Sequence, residues 1–401
     1  MAIHQLRELT ESPDSDVRME ARRALCEIED PPEVGQEARE LRASSSVEYL
    51  TTALSSGEPI LRIEAWNRIQ QLASQKPPTI RIDLLDALCE SSPTEDEDPL
   101  ERQYQFEAIS ELVRELRPLS DGDLALDSGS VKELVRFAAE EVERATHPPL
   151  RVAALTTLTQ LLYYDSETAL SELRRRRSVL SQFGEYGTRP SYQEPIVELL
   201  GAIVVAGTRS DSQYEIGNLF AGIEVDDIET LFDSIPTSEQ GPLISTVIRG
   251  SELPIPSDEN PLTPTEFETY IIQAAERNPH SEVGMKAIQA LGHLYPETEN
   301  SNYFELIGEG LRQLSNAKGP LDAAYSIANY ENEIPEKWWD ELLERVRMGE
   351  IKLSRVEKIC SILFYVDEER AAQELRSILN EEDLSASTST IIERQIEHYC
   401  S

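Results

Sequence analysis

Apolar side chains recur three, four and seven residues apart along most of the chain, the spacing of one face of an α-helix. The clearest instance lies between Asp14 and Ile28, where Val17, Ala21, Ala24, Leu25 and Ile28 share one side. Asp14, Ser15 and Asp16 precede that run; each can accept from an unpaired N–H at a helix start, and their charge suits its positive end. Ala21 and Ala24 are small enough to let a second helix approach closely. The same periodicity predicts helices over 2–10, 15–29, 33–43, 46–55, 59–74, 79–90 and 99–117, then over 131–145, 149–163, 166–183 and 192–206. Further helices are predicted over 264–277, 281–295, 301–315, 320–330, 336–348, 352–365, 368–380 and 388–399. Pro31-Pro32 and Pro77-Pro78 punctuate the series, since proline cannot continue a helix into its own interior.

The pattern repeats. Arg18 is followed by Ala three residues later, Leu at seven and Ile at ten, and Arg62-Ala65-Ile69-Leu72 and Arg151-Ala154-Leu158-Leu161 reproduce the series. Gly284-Ala287-Leu291-Leu294 keeps it without the arginine, and weaker copies centre on Gln105, Val197 and Leu243. Successive anchors are 44, 43, 46, 46, 46 and 41 residues apart, steps natural for stacked helical pairs. The Asp-x-x-x-Arg turn followed by a small-residue helix resembles the HEAT/armadillo group of helical repeats. That resemblance implies an all-α fold, a right-handed α-solenoid of about eight to ten stacked antiparallel helical pairs. It also implies that the second helix of each pair, such as 59–74, 149–163, 192–206 and 281–295, lines a concave binding surface.

Three segments follow from the punctuation. Residues 1–207 carry the N-terminal repeats, 208–263 form an irregular connection or bend, and 264–401 hold the C-terminal repeats and cap. The middle segment is rich in Gly, Pro and Asp, and Leu253-Pro254-Ile255-Pro256 cannot be regular helix. Acidic Ser91–Pro99 and the Asp-, Gly- and Ser-rich 118–130 read as loops. Toward the C-terminus the Arg-Ala marker fades, as a capping end requires.

Charge changes the picture next. Against 75 acidic residues stand 37 basic ones, of which only seven are lysine, for a net charge of −38. The acid is spread over the whole length, and Arg and Glu replace Lys. This looks like adaptation to a multimolar-salt cytoplasm, where the Debye length is about 3 Å and self-repulsion is screened. Cys26, Cys89, Cys360 and Cys400 are scattered without a Cys-x-x-Cys, so neither a zinc site nor a disulfide framework is expected. Cys26 and Cys89 sit in helical patterns and read as small buried apolar residues. No stretch approaches the apolar length of a membrane span, and Met1–His4 lacks the basic start of a secretory signal. A cytoplasmic protein with no membrane partner is expected.

Chemistry-bearing patterns are few. In helical-repeat hydroxylases that use two irons, His-Glu pairs supply the metal ligands; none of His4, His147, His280, His293 and His398 is followed by Glu. No phosphate-binding Gly-rich loop or Gly-x-Ser-x-Gly is present. No enzyme, cofactor or metal is expected, and the leading expectation is a scaffold for another protein. The alternative is a nucleic-acid-associated subunit of a DNA-maintenance or defence complex using Arg174, Arg175, Arg176 and Arg177, with Arg189 and Tyr192 nearby in sequence. Cationic and aromatic groups together suit phosphates. Four consecutive helical residues fan over roughly 300°, though, which places Arg176 beside the buried stripe and Arg175 nearly opposite. Trp338 and Trp339 are the remaining candidates: adjacent helical residues point about 100° apart, so one can enter the core while the other stays partly exposed as a partner anchor, the alternative being that both are half-buried packing residues.

Overall fold

The computed structural model describes residues 2–10, 12, 14–90, 99–116, 126–209, 219, 223–250, 253, 260–277, 279–312, 318–348, 351–380 and 384–400. Among them helices alternate with short turns and no strand occurs. The chain forms two compact units, Met1–Ile223 and Glu224–Ser401. Each is an α-solenoid of antiparallel helical pairs.

In the N-terminal unit the pairs are α1 (Ala2–Leu9) with α2 (Ser15–Glu29), and α4 (Val47–Leu54) with α5 (Pro59–Leu72). Next come α6 (Pro78–Glu90) with α7 (Pro99–Leu116), and α8 (Ser128–Arg144) with α9 (Pro148–Tyr164). Between the first two pairs α3 (Pro32–Ala43) links α2 to α4. The last pair of the unit joins α10 (Ser166–Leu173), a 3-10 stretch and the short α11 (Phe183–Gly187) to α12 (Pro190–Arg209). Second helices stack on second helices: α5 on α7, α7 on α9, and α9 on α12. That stacking buries Trp66, Ile69, Phe106, Ile109, Leu158 and Leu200, a continuous seam that no single pair could close.

Helix starts follow the sequence. Asp14 Oδ1 accepts from the Val17 N–H at 3.2 Å, Asp127 caps α8 through Gly129 at 2.7 Å and Ser130 at 2.9 Å, and Pro59 and Pro148 open α5 and α9, where a missing N–H costs nothing.

The repeat arginine has a common task. Arg18 donates through a terminal guanidinium nitrogen to the Ser12 carbonyl at 2.6 Å. Arg62 does the same to Ser56 O and Arg151 to Ala145 O, in each case six residues back. Arg151 also donates from Nε to Val142 O at 2.9 Å. Each arginine reaches back from the second helix and satisfies carbonyls left open where the first one ends, so the intra-pair turn is locked from below. Arg18 and Arg151 are buried in doing so.

In the C-terminal unit the pairs are α13 (Val225–Ser234) with α14 (Gly241–Gly250), α15 (Glu268–Arg277) with α16 (Glu282–Thr298), and α17 (Tyr303–Arg312) with α18 (Gly319–Glu331). Next are α19 (Glu336–Met348) with α20 (Leu353–Val366), and α21 (Glu368–Leu379) with α22 (Ala386–Tyr399). Gly292 and Gly319 permit a close approach: a Cβ on the first would run into Ala323 and on the second into the Met285 carbonyl, so α16 and α18 touch backbone to backbone.

Within the irregular connection expected over 208–263, the described stretches 225–234 and 241–250 are helical. Ile228, Leu231 and Phe232 of α13 and Leu243, Ile244 and Val247 of α14 are fully buried, and their burial outweighs the surrounding Gly, Pro and Asp. The Ser91–Asp98 loop, residues 118–125 and 254–259 lie outside the described residues. The helix expected over 166–183 ends at Leu173 and continues as a 3-10 turn, with Arg176 at φ −120°, ψ 34° breaking the α-helical register.

Candidate functional site

The second helices of the N-terminal unit line a groove of about 780 Å³. Its floor is two stripes at helical spacing. Gln103, Glu107, Ser110, Glu111 and Arg114 come from α7, and Pro149, Val152, Ala153, Thr156 and Gln160 from α9. Gln70 of α5 and Ser191 of α12 extend it to either side, and Arg18 with Ser12 and His147 with Pro148 form its edge at the turns. The opposite faces of α7 and α9 are spent on the core, where Phe106, Ile109, Leu155 and Leu158 are buried. The groove is thus the surface left over once the stack is closed.

Its polar groups form a relay. The Arg18 guanidinium donates to Gln103 Oε1 at 2.8 Å, and Gln103 Nε2 donates to a Glu107 carboxylate oxygen at 2.6 Å. Burial pushes the Glu107 pKa up, against the Gln103 hydrogen bond and the Arg18 charge, both of which lower it. Arg114 pairs with Glu111 and, at 3.3 Å, with Glu115. Glutamines and hydroxyls predominate beside them, with a short apolar strip at Pro148, Pro149, Val152 and Ala153.

A ladder of ion pairs links successive pairs of helices. Arg23 and Arg42 meet Glu64, Arg62 meets Glu101 and Arg102 meets Glu141. The three glutamates are buried. Asp322 and Lys358 make the equivalent contact in the C-terminal unit, where Gln289 Nε2 also donates to Asp322 at 3.1 Å. The surplus of acid is plain in the composition, but the ladder is not. Its signal was present: the partners lie 41, 39 and 39 residues apart, close to one repeat.

The residues singled out in the sequence fall elsewhere. Arg175 is exposed and bonds Glu172 at 2.9 Å, and Arg176 bridges to Glu140 at 2.8 Å. Arg174 is half-buried, and the Arg177 side chain lies outside what the structure describes. Arg189 is exposed and sits 5.6 Å from the Tyr186 ring centre. Tyr192 is buried, its ring 5.3 Å from Tyr186, while the Arg151 guanidinium lies 3.8 Å over Tyr186. Tyr192 therefore packs beneath a turn and offers nothing to a partner.

Trp338 and Trp339 also need correction, because both are buried. Helix α19 is flanked by α17 on one side and α21 on the other, so two faces 100° apart both find cover. Trp338 packs edge-on to Phe304 at 5.4 Å and over Gly308. Trp339 takes the Arg370 guanidinium 4.2 Å over its ring and donates Nε1–H to Glu374 at 3.3 Å. Neither is a partner anchor. Among the described residues no group of His, Cys, Asp and Glu is placed to hold a metal ion, and no helix is long and apolar enough to cross a membrane.

No protein-family model and no curated protein sequence matches the chain. Solved structures do resemble it. An engineered protein is similar over 100% of this chain and 99% of its own, at 15% identity and a TM-score of 0.58. Importin beta matches at 11% identity and a TM-score of 0.48, and Kap121p bound to RanGTP at 17% and 0.34. All of this chain aligns to both, but it spans only 57% of the importin beta chain and 45% of the Kap121p chain. The likeness to the engineered protein shows the fold, a helical-repeat solenoid.

Proposed function

We propose that the protein is a non-catalytic scaffold that holds an extended segment of another protein in the groove along α5, α7, α9 and α12. One observation carries this reading: the groove lining sets amides and hydroxyls beside a short apolar strip. Gln103 is already committed to Arg18 and Glu107, whereas Gln70 is half-buried and its amide can donate and accept at once. An extended peptide offers the same alternation, with one N–H and one C=O per residue. The neighbouring Pro149, Val152 and Ala153 supply apolar contact for its side chains.

A nucleic-acid partner is disfavoured by the same chemistry. Phosphate binding needs clustered cations released from other duties, whereas Arg175 and Arg176 bond to Glu172 and Glu140 and the chain carries a net charge of −38. The seven lysines and the dispersed acid further support a protein that works in a cytoplasm of multimolar salt.

Photocrosslinking tests the groove. A benzophenone amino acid replacing Gln160 in the native host is expected to form an adduct with a discrete partner. The same group at Lys132, exposed on the outer helix α8, is expected to form none. Equal labelling at the two positions, or none at Gln160, refutes the reading.

A further inference from the structure

The C-terminal unit carries a second periodicity, unrelated to the groove. Tyr295, Tyr330, Tyr365 and Tyr399 are spaced 35, 35 and 34 residues apart, and each occupies the last turn of a second helix, α16, α18, α20 and α22. These helices stack in sequence on one another, so equivalent positions come to one edge of the unit. The Tyr295 and Tyr330 rings meet at 6.3 Å and the Tyr365 and Tyr399 rings at 6.2 Å, both edge to face. Tyr325 joins the strip 5.6 Å from Tyr365. Tyr295 is buried against Phe304, but Tyr330 and Tyr365 are 45% and 39% exposed. Tyr330 and Tyr365 thus present ring surface to solvent on adjacent repeats.

Acid predominates along that edge, with Lys358 beside Tyr325 and His398 beside Tyr399 as the exceptions. Helix C-termini carry roughly half a negative charge, and proteins usually place Lys or Arg there. The last turns of α16, α18 and α20 contain no basic residue. They are followed or flanked instead by Glu297, Glu299, Glu331 and Asp367, and Tyr330 Oη donates to Glu299 at 3.4 Å. Aromatic faces are themselves negative, and cations bind over them. The chain supplies its own example: Lys358 Nζ, also bonded to Asp322, lies 5.0 Å from the Tyr325 ring centre.

We propose that this tyrosine edge is a docking strip for an extended polypeptide segment rich in arginine or lysine, whose cations lie over the exposed rings between negative helix ends. Its length fits such a segment. Three interhelix steps of about 8–10 Å give a strip of roughly 30 Å, which about ten extended residues would span. The inference stands whether or not the groove of the N-terminal unit binds anything, because it rests on different residues in a different unit.

The test uses the full chain and fluorescein-labelled deca-arginine, with deca-citrulline as the uncharged match, at a salt concentration where the fold is intact by circular dichroism. Deca-arginine is expected to bind and deca-citrulline to bind far more weakly. The Tyr330→Leu/Tyr365→Leu variant keeps apolar bulk and net charge but loses both ring faces, and is expected to bind deca-arginine about five- to tenfold more weakly. Tyr330→Phe/Tyr365→Phe keeps the faces and should bind within about twofold of the parent. Both side chains also pack on neighbouring rings, so binding is compared only for variants whose circular dichroism and melting match the parent. Undiminished binding by the leucine variant would mean that the peptide answers only to the diffuse acidic surface, and would overturn the proposal. Equal losses in the leucine and phenylalanine variants, equal binding of citrulline, or no binding of deca-arginine would overturn it as well.

Discussion

Arg23 grips both oxygens of Glu64 across neighbouring second helices, Nε to Oε1 at 2.7 Å and a terminal nitrogen to Oε2 at 2.9 Å. Glu64 is fully buried and Arg23 only 19% exposed, so the pair is shielded from solvent and its fork geometry is fixed. Glu64 in turn holds the Arg23 pKa above its ordinary value. Removing one partner strands a buried charge, while removing both does not. Arg23→Met is therefore expected to destabilise the N-terminal unit by about 3 kcal/mol, the low end of the range because Arg42 stays near Glu64. The Arg23→Met/Glu64→Met double variant should recover most of that loss. Urea unfolding of the three proteins decides it, and a double variant no better than the single one would show that the pair is not the source of the loss.

Much of this architecture was legible. Arg18, Arg62 and Arg151 marked the repeat in the sequence, because a long cation at a constant distance from a turn and a small-residue helix has few other reasons to recur. Their task was not legible: a reach of six residues back to a carbonyl depends on how the first helix ends. The helices at 225–234 and 241–250 were hidden by turn-forming composition, since short apolar runs such as Ile228–Phe232 count for little until a neighbour buries them. The tryptophan pair misled for a related reason. Adjacent positions imply different faces, but not which face lacks a neighbour. The tyrosine row was visible as a period of 35 residues, shorter than the step of about 44 on which the N-terminal copies align, and the Arg-centred register passes over it.

Glu107 gives a pH-dependent prediction. Its carboxyl pKa is raised by burial, with the Gln103 amide and the Arg18 charge opposing. A folded-state value above the unfolded one means that the proton stabilises the fold. This contribution is complete below the unfolded pKa, about 4.3, and is lost as pH rises through the folded value. Above the unfolded pKa the carboxyl therefore costs stability relative to a neutral side chain. Glu107→Gln should melt higher than the parent at pH 7, and the two should converge near pH 4. A parent that melts higher at neutral pH would mean that the Arg18 attraction outweighs desolvation. A carboxylate retained at a cost on a groove floor is consistent with a binding duty there.

Within the arginine run, Arg175 and Arg176 hold their partners differently. Arg176 bridges to Glu140 on α8, tying the 3-10 turn to the neighbouring pair, while Arg175 bonds only to Glu172 one turn away and is 66% exposed. Arg176→Gln is expected to lower stability by about 0.5–1 kcal/mol, and Arg175→Gln by less than about 0.3 kcal/mol. Thermal melts at low salt make the comparison. If Arg175→Gln is instead the more damaging change, or if either change weakens binding of a nucleic-acid duplex by the folded protein, the run has a role beyond joining helices.

The last prediction concerns salt. The chain carries 75 acidic and 37 basic residues, and the most deeply buried glutamates on the ladder, Glu64, Glu101 and Glu141, are already matched to arginines. The uncompensated charge is therefore largely on the surface, where like charges repel through solvent and ions screen them. At 0.01 M salt the screening length is about 30 Å, comparable to a whole unit, and at 1 M it is about 3 Å. Buried pairs are screened much less, so added salt should relieve the repulsion without dissolving the ladder. Melting temperature is accordingly expected to climb steadily from dilute to multimolar KCl. The ladder variant Arg23→Met should climb in parallel, offset downward by a nearly constant amount. A flat or falling curve for the parent would remove the reading of a salt-adapted protein. An offset that vanishes at high salt would show that the Arg23–Glu64 pair is screened like a surface contact.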